Sequence, residues 1–187
     1  MMILKVKVIM MKAYPLLNGE TLIIRSVQKT DASNMLEYLK TVGGESDNLL
    51  FGPEGVPMTL DQEEAFLDAQ SNNHIHPMFI GLIDQKIVSV IHLSGSTRKR
   101  VAHLAEMGIS VLQSYWNQGI GHRMMTHLFD YIKEVGIIFT LHLRVRTDNI
   151  FAIKLYQKMG FSIVGILHHH TRIDKEYVDC YIMECLI

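Results

Sequence analysis

Two glycines, Gly119 and Gly121, stand where a β-capable run gives way to helical periodicity. Glu106 to Leu112 is apolar, with Met107-Gly108-Ile109-Ser110-Val111 at its centre. Gln113 to Gly121 is polar and then glycine-punctuated; from Ile120 onward Met124, Met125, Leu128, Phe129 and Ile132 recur at helical spacing. Strand, tight turn and amphipathic helix therefore follow one another directly. The first N–H groups of a helix have no intrahelical partner, and the helix dipole adds partial positive charge there. With no side chains at 119 and 121, an anion could approach the backbone, and the chemistry suggested is a phosphate or pyrophosphate cradle. A plain strand-to-helix turn fits the same residues equally well. A P-loop does not fit, because no Gly-Lys-Ser/Thr occurs, and the dinucleotide pattern G-x-G-x-x-G fails at its third position, Met124.

The elements that must position this turn are legible around it. Thr21–Arg25 reads as a short strand, and Thr30 or Asp31 can cap a helix running to about Thr41, closed by Gly43-Gly44. Thr59-Leu60-Asp61-Gln62 resembles a capping box opening a helix to about residue 72. Met78–Ile83 and Ile87–Ser94 form a hairpin over Asp84-Gln85-Lys86. A long strand, Val101–Leu112, precedes the glycine turn, and a helix runs from about Gly119 to Val135. Phe139–Arg146 is a strand and Asn149–Met159 a helix closed by Gly160. Phe161–His169 and Tyr177–Ile187 make a last hairpin around Ile173-Asp174-Lys175-Glu176. The order is β-α-α-β-β-β-α-β-α-β-β, an α/β chain with a mixed sheet and helices on both faces.

The 187 residues read as a single domain spanning 1–187, with 1–18 as an N-terminal extension or extra strand. Apolar residues at 48% and charged residues at 20% describe a globular chain. A net charge of −1 gives no general attraction to nucleic acid or a membrane surface. Arg98-Lys99-Arg100 reads as a solvated hairpin tip. Lys5 and Lys7 interrupt an apolar N-terminus too short to span a bilayer. Leu4, Val6, Val8 and Met10 alternate as a strand would, while a natural start at Met10 or Met11 is equally open. Cys180 and Cys185 fall on opposite faces of one strand and are not expected to pair; a reducing cytoplasm is the expected compartment. In a regular strand His168 and His170 would share a face and His169 the other. No carboxylate or cysteine completes a ligand set, so no metal is expected.

The turn resembles motif A of the GCN5-related N-acetyltransferases, the GNAT superfamily. The motif's [QR]-x-x-G-x-[GA] corresponds to Trp116-Asn117-Gln118-Gly119-Ile120-Gly121, with Trp116 departing from Gln or Arg. A second stretch, Asn149 to Phe161, follows the superfamily's N-x-x-A-x-x-L-Y-x-x-x-G-F through Ala152, Leu155, Tyr156 and Gly160. The element order is also that of the GNAT, or acyl-CoA N-acyltransferase, fold from about Gly19 onward.

The resemblance implies an N-acetyltransferase that moves an acetyl group from acetyl-CoA, as co-substrate, to a primary amine of a small molecule or peptide by direct transfer in a ternary complex. The alternatives are a non-catalytic acyl-CoA-binding or sensing module and a protein N-terminal or lysine acetyltransferase. Asn117, Gln118, Gly119, Ile120, Gly121 and His122 would hold the cofactor phosphates. Ile109, Ser110 and Val111 would lie where the central strand bulges and splays, offering backbone donors to the pantetheine arm and the oxyanion. Asn149 would bond that arm or cap its helix, with Ala152 beside it. Tyr156 would protonate the leaving thiolate. An alkyl amine is about one part in 10³ neutral at pH 7, so a base helps. Glu106 is the leading base, tuned by partial burial, with His103 in reserve. Glu45 to His76 and the last hairpin loop would set the acceptor. The acidic stretches Gly44–Asn48 and Asp61–Glu64 could favour a cationic amine, though they also suit helix capping. The C-terminal strands offer a route to a homodimer.

Overall fold

The computed structural model describes residues 11–71 and 73–187. The alternation at Leu4, Val6, Val8 and Met10 lies outside them. Directly after it comes β1 (Met11–Pro15), paired antiparallel with β2 (Thr21–Ser26). This strand precedes the expected order, and the rest of that order is found: α1 (Ala32–Gly44), α2 (Leu60–Ser71), β3 (Met78–Ile83), β4 (Lys86–Gly95), β5 (Leu104–Val111), α3 (Ile120–Val135), β6 (Thr140–Arg146), α4 (Ile150–Lys158), β7 (Ser162–Ile173) and β8 (Glu176–Leu186).

Several boundaries differ from the sequence reading for local reasons. Asp31 gives α1 no side-chain cap. It closes a short 3-10 turn, where its carboxylate takes both Arg25 guanidinium nitrogens at 2.7 Å and the Gln28 N–H at 2.8 Å. Gly43 and Gly44 continue α1 instead of stopping it; a side chain at Gly43 would collide with the Gly52 carbonyl. Residues 101–103 turn before β5 begins. The expected capping box at α2 is present: Thr59 N–H donates to Gln62 Oε1 at 2.9 Å and Gln62 N–H to Thr59 Oγ1 at 3.3 Å.

The sheet runs β1-β2-β3-β4-β5-β6-β8-β7. Every neighbouring pair is antiparallel except β5 and β6, joined in parallel through the α3 crossover. One face packs Leu22, Ile24, Phe79, Ile91 and Met107 against Met124, Met125, Leu128 and Ile132 of α3 and Ile153 and Tyr156 of α4. The other packs Ile80, Leu82 and Val90 against Met35 and Tyr38 of α1 and Leu67 of α2. Each fully buried aliphatic or aromatic side chain contributes about 1.5–3 kcal/mol. These two layers clamp the middle of the sheet.

Candidate active site

The site begins with an interrupted seam. β4 and β5 pair without a break from Ser89↔Val111 to Gly95↔Ala105. β5 and β6 pair only through Leu104↔Thr140, Ala105↔Leu141 and Glu106↔His142, and beyond that the two strands part. The bulge expected in β5 is found one strand away: Gly81 pairs with Ser89 and Leu82 with Ile87, leaving Val88 of β4 as the extra residue.

Backbone alternation decides what β5 presents at the opening. The Leu112 N–H donates to Val88 O at 2.9 Å, which continues the register and directs the N–H groups of Gly108 and Ser110 toward β4 as well. The Met107 carbonyl and the N–H and C=O groups of Ile109 and Val111 then face the gap. The backbone groups of Ile109 and Val111 thus face the cleft, whereas those of Ser110 face β4. Its carbonyl accepts from Ser89 Oγ at 2.7 Å and its hydroxyl lies 2.8 Å from Tyr38 Oη, on the α1 face. Burial pushes the Tyr38 phenol far up, so it stays protonated.

Trp116 has a use that the motif comparison missed. Its Nε1–H donates to the Val111 carbonyl at 2.7 Å, satisfying the last acceptor of the exposed strand edge. Asn117 and Gly119 follow with φ of +61° and +78°, turning the chain into α3. Gly119 is the N-cap of α3, has no side-chain cap bond, and has nothing within 4 Å of where a Cβ would stand. Arg123 N–H bonds back to Gly119 O at 3.1 Å, so the N–H groups of Ile120, Gly121 and His122 are left as the open donors of the first turn. Gly121 serves packing: a Cβ there would press on Leu155 of α4 at 2.9 Å. Gln118 is tethered by Asn18 at 3.0 Å and to the Ser114 carbonyl at 3.2 Å.

α4 sits beside this turn. Asn149 caps α4, its Oδ1 accepting from Ala152 N–H at 3.2 Å. Gly160, at φ +94°, ends α4 in a Schellman arrangement: Phe161 N–H bonds Tyr156 O and Gly160 N–H bonds Gln157 O, each at 3.0 Å. This folds Phe161 onto Tyr156, ring centroids 6.0 Å apart. Tyr156 is 8% exposed, and burial pushes its phenol up to about 12. Among the described residues its hydroxyl has no hydrogen-bond partner and is not sealed from solvent.

The opposite face of β5 and β6 is ionic. Glu106 is partly buried, its side chain 43% exposed. Its Oε1 accepts from Arg144 Nε at 2.7 Å and Nη2 at 2.6 Å. Apolar neighbours do flank it, but alternation turns them to the other face. His142 lies 2.8 Å from Glu184, and His170 3.3 Å from Arg144. His103 falls in the turn before β5, exposed, with its carbonyl holding Phe139 and Thr140 N–H. The 168–170 run does not alternate, because β7 slips against β8 between Leu167 and Thr171. His168 meets Asp179 at 2.9 Å, and among the described residues no cluster of three His, Cys, Asp or Glu could hold a metal ion. In the loop after α1 the Glu45 carboxylate accepts from Gln113 N–H at 2.7 Å, and the Asp47 backbone carbonyl accepts from Arg146 at 2.8 Å.

A parted parallel seam beside an uncapped, glycine-entered helix is the geometry that the resemblance foresaw. The sequence model of the acetyltransferase (GNAT) family matches residues 47–161, more than half of the chain. The chain belongs to the acetyltransferase (GNAT) family. The family uses acetyl-CoA and transfers its acetyl group to amines, and this chain is an N-acetyltransferase of that kind. It is 31% identical over 104 residues to the L-amino acid N-acetyltransferase AaaT of Escherichia coli K12; the match covers 56% of this chain and 64% of that protein. It is 28% identical over 173 residues to an N-alpha-acetyltransferase of Sulfurisphaera tokodaii, covering 88% and 93%. A solved GNAT acetyltransferase from Streptococcus pneumoniae superposes with a TM-score of 0.85 at 30% identity, covering 89% of this chain and 99% of that one. No described helix is long and apolar enough to cross a membrane.

Proposed function

We propose that the protein acetylates the primary amine of a small zwitterion, an L-amino acid or a closely related molecule, by direct transfer from acetyl-CoA. The observation that carries this is the parted β5–β6 seam, open on one side to the α3 N-terminus and on the other to a row of paired charges. The open N–H groups of Ile120, Gly121 and His122, with the turn Asn117-Gln118-Gly119, suit the cofactor phosphates. The cleft-facing N–H and C=O of Ile109 and the N–H of Val111 suit the pantetheine amides. Their N–H donors, held in place by the β4 pairing, would polarise the thioester carbonyl.

Glu106 and Arg144 present opposite charges side by side, a complement to an ammonium and a carboxylate on one small acceptor. That is consistent with the amino-acid substrate class in the name of the Escherichia coli relative. A phenol near 12 stays protonated throughout the working range, so Tyr156 donates a hydrogen bond to the departing sulfur. A thiol titrates near 8.5, which makes complete proton transfer from such a phenol uphill. Cys180 and Cys185 are buried and unpaired, as suits a reducing compartment such as the cytoplasm.

Thermal unfolding with and without acetyl-CoA, with NAD as the control, tests the donor site. Ligand at 100 times its dissociation constant adds about 2.7 kcal/mol, and a shift with acetyl-CoA alone is expected. Release of CoA thiol is then followed across L-amino acids, polyamines and peptides. Faster release with peptides bearing free N-termini than with amino acids would move the acceptor to the N-alpha class named for the archaeal relative. Binding without release for any amine would leave only the binding-module reading.

A further inference from the structure

β4 places His92 directly across from Gly108. A Cβ built on Gly108 would strike the imidazole at Cε1, with Nε2 at 2.9 Å and Nδ1 at 3.2 Å. The ring therefore lies across the α-carbon of Gly108, in space that only glycine leaves free. Gly108 is two residues beyond Glu106, the last β5 residue paired with β6. The imidazole thus reaches over β5 at the level where the cleft opens, between Met107 and Ile109. It shares its face of the sheet with Glu106 and Ser110. Among the described residues neither ring nitrogen has a hydrogen-bond partner, and neither is sealed from solvent.

We infer that His92 takes the proton from the incoming amine, an assignment that rests on the acetyl-transfer reading above. Glu106 is poorly placed for that task, since Arg144 donates twice to one of its oxygens. Across from His92, β3 presents Met78; β5 presents Gly108 with Glu106 and Ser110 alongside, and α1 stands behind Ser110 with Tyr38. Glu106 is the charged group among these. Burial lowers the His92 pKa below 6.5, and the Glu106 charge pulls only partly the other way. The ring is therefore neutral at pH 7, with a lone pair free to accept.

The ammonium gives one proton to the imidazole, which becomes imidazolium and later returns that proton to solvent. The amine lone pair forms the C–N bond as the carbonyl π pair moves onto oxygen, beside the cleft-facing N–H groups. Collapse restores the C=O bond and expels sulfur with the C–S pair. The surplus proton on nitrogen goes to the departing thiolate, leaving amide and free thiol.

The test is the pH dependence of kcat/KM, measured with acetyl-CoA and the L-amino acid that the wild type acetylates fastest, for wild type, His92→Gln, His92→Gly and Glu106→Gln. The wild type should lose activity on an acid limb below pH 6.5. His92→Gln should lower kcat by about 10²–10³-fold, remove that limb and leave the KM for acetyl-CoA unchanged. Added imidazole should restore part of the rate to His92→Gly, and Glu106→Gln should keep the limb. Should the His92 variants fail to fold, an NMR titration of the wild-type ring decides: a midpoint matching the kinetic limb supports the assignment and a mismatch overturns it. With an active wild type, a wild-type rate in His92→Gln, or loss of the limb only in Glu106→Gln, overturns the role of His92 alone. A wild type that binds acetyl-CoA and acetylates no amine overturns the transfer reading and this assignment with it.

Discussion

The two edges of β5 make opposite uses of one strand. Toward β4 it pairs without interruption, and its N–H and C=O groups are spent on the sheet. Toward β6 it pairs for three residues and then stands open, with backbone donors unspent beside the α3 N-terminus. The closed edge lies over Phe79, Ile91, Met124 and Leu128, all fully buried. The open edge is bordered by half-exposed Trp116, a nearly buried Tyr156 and charged side chains. The lesson is a division of labour: the closed edge provides stability, and the open edge keeps hydrogen-bonding capacity for a substrate. An unpaired backbone edge is a cost in a folded chain unless something complements it.

This contrast can be broken in four ways, from the largest effect to the smallest. Phe79→Ala, on the closed side, should cost about 3–5 kcal/mol in denaturant unfolding while leaving kcat per folded molecule near wild type. A large fall in kcat at full folding would show that the two sides are not separable. Tyr156→Phe should do the reverse, lowering kcat about 10²-fold with little change in Tm. An unchanged kcat would remove the phenol from thiolate departure.

His127 sharpens the comparison through pH. It is fully buried beside Phe79, and among the described residues both ring nitrogens lack partners. Burial, reinforced by Lys12, pushes its pKa down to about 4 from 6.5. Between those values the unfolded chain binds the proton and the folded chain does not. Stability is then complete above about pH 6.5 and falls as pH drops toward 4, by about 3 kcal/mol in all. His127→Leu should flatten this acid limb in unfolding curves and raise Tm at pH 5. An unchanged limb would locate the acid sensitivity elsewhere. The smallest effect belongs to Trp116→Phe, which removes one hydrogen bond to the Val111 carbonyl. About 1 kcal/mol of local order should be lost, seen as a modest rise in the KM for acetyl-CoA. Because Trp116 is the sole tryptophan, its fluorescence in the wild type should also change on acetyl-CoA addition.

How much was legible in advance follows the same division. The turn from β5 into α3, the capping box at Thr59 and the closure of α4 at Gly160 could all be read from neighbouring residues. Each depends on dihedral preferences or hydrogen bonds within one turn of chain. The amphipathic period of α3 likewise announced its buried face. The pairing of Glu106 with Arg144 could not be read, although both residues stood in assigned strands. Nothing in local spacing says that residues 38 apart will share one sheet face. His92 was passed over for the same reason, although the hairpin register opposite Gly108 could have signalled it.

The sequence by itself determined the elements, the left-handed turn at Gly119 and the family-like spacing of Asn149, Tyr156 and Gly160, because backbone sterics and helix periodicity act over a few residues. Only the tertiary structure decided which edge of β5 stays open, which carboxylate meets an arginine and which histidine lies over the cleft. Those outcomes depend on strand order, on a bulge displaced to Val88 and on where a parallel pair runs out, and all three are set by packing between segments far apart in the chain.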